Sequence, residues 1–177
     1  MGGYGVTSME NSIPESVLRK NAARLVFVQA LYGEHFDISI ESAESWVARY
    51  NEDLLTDQAV ESLEEDEHSE ELFELKPETL PDMQFLRKCL RGWLQEQAAV
   101  RRVVDGVLND KEKRPLERLS PLIQSILCAA AFEMVHLSTK TPVILKEYVE
   151  IASGFFDNPE LGFINGMLQE LATQQSS

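Results

Sequence analysis

The sequence predicts an all-α fold, a compact bundle of about six to seven helices in two packed helical subdomains. Three observations predict it. Apolar residues recur every three or four positions through most of the chain, the period at which one face of a helix comes round. No stretch of useful length alternates apolar and polar residues as a half-buried strand does. In the last third, Ser120–Pro121, Thr141–Pro142 and Asn158–Pro159–Glu160 form three successive helix-start signals, so short connections and antiparallel neighbours are expected there.

Taken in order, residues 1–11 are Gly-, Ser- and Asn-rich and read as a disordered tail with Met9 as an alternative start. One domain is expected over 12–173, followed by a short tail over 174–177. Ser12 and Glu15 have the spacing of a capping box at the start of a helix running to about Gly33. On that helix Leu18, Ala22, Leu25, Gln29 and Tyr32 share one face; Lys20 and Arg24 share the opposite stripe, which turns apolar at Phe27 and Leu31. Ile40, Ala43, Trp46, Val47, Tyr50 and Leu54 describe a second, amphipathic helix. Residues 56–79 are acidic and weakly periodic, as expected of a solvated insertion. After Pro81 a long pattern from Phe85 to Leu108 predicts a helix with a possible break near Gly92. The helix opened by Ser120–Pro121 points Ile123, Ile126, Leu127, Ala130, Met134 and Leu137 inward. The last helix holds Gly166, where a mid-helix glycine costs about 1 kcal/mol relative to Ala, so close packing or a bend is expected.

The net charge of −14 argues against generic nucleic-acid binding, because phosphates are repelled. That charge is uneven. From Glu61 to Asp82, ten acids stand against Lys76 alone, whereas from Met83 to Ser120 nine bases face five acids. A basic tract therefore lies inside an acidic protein, and the acidic insertion is expected to screen it. With 44% hydrophobic residues and no apolar run near the roughly 20 residues of a membrane span, a soluble globular protein is expected. No export is expected, and Gly2 is a weak lipidation signal because Val6 stands where a myristoylation motif has Ser or Thr. Cys89 and Cys128 sit in apolar helical patterns without a CxxC neighbour, which suits buried free thiols in a reducing cytoplasm.

Enzymatic constellations are hard to find. His35, His68 and His136 lack metal-ligand spacing, and neither a phosphate loop nor a nucleophile elbow is present, so no metal, cofactor or catalytic residue is expected. Glu147 and Glu150 could pair for acid–base work but read as a solvated face. Binding is left. Arg19, Lys20 and Arg24 have the spacing to follow a phosphate backbone, although bases at an exposed helix end are common decoration. Tyr32 could stack on a splayed base or belong to the core.

The most specific of several blocks is Glu147 to Ala152, then Gly154, Phe155 and Phe156, then Gly162 through Leu168. Upstream stand Arg19, Lys20, Ala23, Arg24 and the run Gln29 to Tyr32, and in the middle of the chain Phe85 with Gly92, the stretch Glu117 to Leu119 with Pro121, and Ala130, Phe132 and Glu133. Together these blocks resemble the NusB family of transcription antitermination factors, the upstream one matching the family's first helix. Asn21, Ala22, Gln124 and Cys128 depart from the pattern at positions where Arg is common, and Lys146 at one where Asn is. The resemblance implies a helical, non-enzymatic protein that pairs with NusE, a small-subunit ribosomal protein. It further implies binding to single-stranded boxA-type RNA of ribosomal RNA transcripts within an RNA polymerase antitermination complex, and a homodimer when free. RNA contact would fall to Arg19, Lys20, Arg24 and Tyr32. A protein-only adaptor that has lost RNA binding is the rival expectation; a domain of a ribosomal RNA methyltransferase is a more distant one.

Overall fold

A computed structural model describes residues 12–55 and 79–176. The N-terminal tail and the acidic insertion fall outside these residues, apart from Thr79. The described chain is all-helical: α1 (Glu15–Glu34), α2 (Ala43–Leu55), α3 (Met83–Glu112), a 3₁₀ turn (Leu116–Arg118), α4 (Pro121–His136), α5 (Thr141–Ser153) and α6 (Glu160–Gln175).

Helix α4 is the centre. Every residue from Leu122 to Glu133 is buried, because α1, α3, α5 and α6 all pack against it. Its start follows from local chemistry: the Ser120 hydroxyl accepts from the Ile123 N–H at 3.5 Å, and Pro121 occupies the first turn, where no N–H is needed. Helix α1 is enclosed almost as fully, with only Leu25 less than buried between Ala22 and Gly33. Phe27 anchors the α1–α3–α4 junction, meeting Trp93 and Phe132 edge-on at centroid separations of 6.4 and 5.6 Å, a geometry that suits the ring quadrupoles.

Helix α3 runs unbroken for 30 residues, so the expected break at Gly92 is absent. Gly92 instead allows a close approach of α3 to α4: a Cβ built there would lie 2.4 Å from Phe132 Cζ. Close packing was expected at Gly166, yet that residue is exposed and a Cβ there would meet nothing within 4 Å. The two glycines exchange roles because helical period gives spacing along one helix and not the depth of its neighbour. Asp82 caps α3, its carboxylate accepting from the Phe85 N–H at 3.0 Å.

Two start signals act differently from expectation. The Ser12–Glu15 box does not form; Pro14 precedes α1 and its carbonyl accepts from Val17 and Leu18. Thr141 is the first helical residue of α5 rather than its cap, since Pro142 already removes one orphan donor from the first turn. Glu147, expected on a solvated face, is buried, and burial, followed by the nearby Glu150, pushes its carboxyl pKa up.

Candidate nucleic-acid interface

Arg24 and Glu133 are lone opposite charges in the apolar runs of α1 and α4, and the fold joins them. Arg24 donates through Nε to Glu133 Oε2 at 3.0 Å and through Nη2 to Oε1 at 2.7 Å. Thr139 and the Tyr148 hydroxyl donate to the same carboxylate at 2.7 and 2.9 Å, and Asn21 Oδ1 accepts from Arg24 Nη1 at 2.7 Å. Arg24 is 2% exposed and Glu133 is 0%. Burial opposes the guanidinium charge, but the Glu133 carboxylate more than offsets it, so the Arg24 pKa stands above its ordinary value. This is a cross-tie between α1, α4 and α5.

The expected phosphate contact by Arg24 is therefore corrected. The side chain expected on an exposed stripe lies in the core, because α1 is covered on that side too. Tyr32 is corrected likewise: it is 0% exposed, with its ring tilted against Phe36 at 5.0 Å, and so cannot offer a face to a base.

Arg19 and Lys20 are exposed. Arg19 ties the start of α1 to the start of α3, its carbonyl accepting from Asp82 N–H at 2.9 Å and its Nε donating to Leu80 O at 3.4 Å. That tie sets Lys20 against α3. Lys20, Asp82, Gln84, Phe85, Lys88 and Arg91 line one open recess of about 480 Å³. The Lys20 ammonium lies 5.7 Å and the Arg24 guanidinium 5.3 Å from the Phe85 ring centroid. Arg91 pairs with Glu44 of α2, both its Nε and Nη2 donating to one carboxylate oxygen, and holds the Glu44 carboxyl below its ordinary pKa. In the sequence, Lys88 and Arg91 are members of a basic tract, and the signal that sets them apart is their helical register with Phe85.

A second recess, of about 460 Å³, is lined by Glu34, His35, Arg101, Glu117, Leu119, Pro121 and Gln124. Its charges are mixed. Glu34 accepts from Trp93 Nε1 at 2.8 Å, and Arg101 lies 5.2 Å over the Trp93 ring. Burial and then the Arg101 charge lower the His35 pKa. Among the described residues, no group of His, Cys, Asp and Glu could hold a metal ion, and no helix is long and apolar enough to cross a membrane.

An ion-paired helical core bearing a surface recess lined by Lys20, Lys88 and Arg91 defines the class of the protein as all-α. The NusB family profile matches residues 21–173, and the chain belongs to the NusB family. It is 32% identical to the transcription antitermination protein NusB of Caulobacter vibrioides, over 86% of this chain and 91% of that protein. It is 29% identical to the protein of the same name from Rhodospirillum rubrum, over 88% and 83%. Among solved structures, T. maritima NusB shares the fold with a TM-score of 0.57 at 20% identity, covering 92% of each chain.

Proposed function

We propose that this protein is a transcription antitermination factor that binds single-stranded boxA-type RNA of ribosomal RNA transcripts after pairing with a NusE-like small-subunit ribosomal protein. It acts in the cytoplasm by binding, within an RNA polymerase antitermination complex, and not by catalysis. The observation that carries the reading is the recess around Lys20, where cations and an aromatic ring gather on the surface of a chain whose net charge is −14. Family membership supports the process, and the three cations of the recess support phosphate binding there. The partner is needed because an acidic protein repels RNA and gains from added positive surface.

One observation favours the protein-only adaptor as a second reading. Arg24 and Tyr32 both belong to the core, which leaves the first helix two exposed cations, Arg19 and Lys20, for RNA. Fluorescence anisotropy with boxA-type RNA, with and without the ribosomal protein, separates the two. On the first reading the partner raises RNA affinity at least about tenfold, a coupling of about 1.4 kcal/mol. Equal affinity with and without the partner would refute that coupling, and a complex with the partner but no RNA binding at any salt concentration would leave the adaptor.

A further inference from the structure

Four residues of α3 face the recess: Gln84, Phe85, Lys88 and Arg91. Their register places them on one stripe of the helix, and from Gln84 to Arg91 the axis rises about 10 Å. The two cations of that stripe, Lys88 and Arg91, are exposed, and Phe85 is half-buried in the same recess with the Lys20 ammonium near its ring. We infer that Lys88 and Arg91 are phosphate-binding residues and Phe85 is a base-stacking platform, so that a single-stranded RNA is gripped from α3 as well as from α1. The inference rests on the RNA-binding reading above.

The arrangement suits a strand better than a single phosphate. Three cations from two helices are spread along the recess, and cations placed in this way each neutralise one phosphate of a backbone and release its counterions. The ring beside them gives a base a face to stack on, which is how single strands are held without reading their sequence. A duplex keeps its base faces closed and has no use for Phe85. Arg24 approaches the ring from within the core and is fixed by Glu133, whereas Lys20 approaches it as an exposed, flexible side chain. Lys20 can thus swing to a phosphate and open the ring to a base.

Two carboxylates stand against the assignment and neither blocks it. Asp82 is engaged at the α3 N-terminus by the Phe85 N–H. Glu44 occupies Arg91, but both side chains are about 60% exposed, and ion pairs so exposed contribute little. A phosphate can replace that carboxylate.

The test uses the full chain with its ribosomal-protein partner present. The probe is a labelled short single-stranded RNA from the leader of the organism's own ribosomal RNA transcript, read by anisotropy across a salt series. The variant Lys88→Gln/Arg91→Gln should bind about tenfold more weakly at low salt and lower the salt slope by about 1.4, that is about 0.7 for each lost contact. Phe85→Leu should weaken binding at least about fivefold with the slope unchanged, and Phe85→Tyr should keep wild-type affinity. Circular dichroism verifies that each variant is folded. If Lys88→Gln/Arg91→Gln binds as wild type does while Lys20→Gln is impaired, the α3 assignment is overturned and the RNA-binding reading stands. Equal weakening of single-stranded and duplex RNA by Phe85→Leu would overturn the stacking role. A wild-type chain that binds no RNA overturns both the assignment and the reading.

Discussion

Replacing Glu133 with Gln keeps the side chain's shape and removes its charge, which makes it the sharpest probe of the core cross-tie. Four donor groups converge on the carboxylate, Nε and Nη2 of Arg24 and the hydroxyls of Thr139 and Tyr148, with Nε shared between both oxygens. A Gln amide offers one acceptor oxygen and turns an NH₂ group toward donors, so about two of the four are lost. Hydrogen bonds to charged groups are worth about 1.5–3 kcal/mol each, so the loss is about 3–6 kcal/mol. Breaking a buried ion pair by removing one partner gives a similar figure, about 3–5 kcal/mol, because an uncompensated charge stays in the core. For a chain of this length the melting temperature should fall by about 6–24 °C. Thermal melting followed by far-ultraviolet circular dichroism measures it. Arg24→Met with Glu133→Leu should be less damaging than either single change, since the unpaired charge is gone and only the Thr139 and Tyr148 hydroxyls lack their acceptor. A Glu133→Gln protein melting within about 2 °C of wild type would refute the cross-tie. Arg24→Gln completes the argument: its melting temperature should drop while the salt slope of RNA binding does not change.

Gly92→Ala should destabilise by about 1–3 kcal/mol, because the new methyl meets a Phe132 ring already held by Phe27 and His136, whereas exposed Gly166→Ala should stabilise by about 0.5–1 kcal/mol; chemical denaturation checks both, and stability gained in both variants would contradict the close approach. His35 has a lowered folded pKa, so the unfolded chain binds more protons, and stability should fall as pH drops below about 6.5. Glu34, raised by burial, acts with the opposite sign from its raised value down to its ordinary one, so the comparison is with His35→Asn, in which the decline just below pH 6.5 should flatten; identical pH profiles would dismiss the effect. Glu44→Gln frees Arg91 and should raise RNA affinity at low salt while leaving the melting temperature unchanged; weaker binding would show that Glu44 supports the recess instead of competing for it.

The helices were legible wherever their signals were local. Ser120 and Pro121 act within one turn of each other, so sequence alone placed the start of α4. The facing of α1 was not legible, because period identifies which residues share a stripe and not how many neighbours cover it. Arg24 shows the difference. A lone Arg between Ala22 and Gly33 and a lone Glu at the end of an apolar run in α4 are two charges that burial obliges to pair, and that pairing was the signal available for removing Arg24 from the RNA set. Lys20 was found because it lies where α1 emerges from the core. Its companions on α3 needed the Arg19–Asp82 contact, which joins residues far apart in sequence and has no local signature.

The core also contains its own reporters. Cys89 lies near Arg24 and Glu133, while Cys128 lies near Arg101 and Glu34, at the other recess. Both are buried free thiols; burial raises the pKa of each, that of Cys128 to about 12. Only a thiolate attacks a disulfide reagent or an alkylating agent, so neither sulfur should react until the helices over it part. The two labelling rates, resolved by mass spectrometry of peptides, would then time separate openings of one molecule without any probe being added. A ligand seated at the α1–α3 recess should slow the clock at Cys89 more than the one at Cys128, turning an unmodified native chain into a two-channel gauge of where binding tightens the fold.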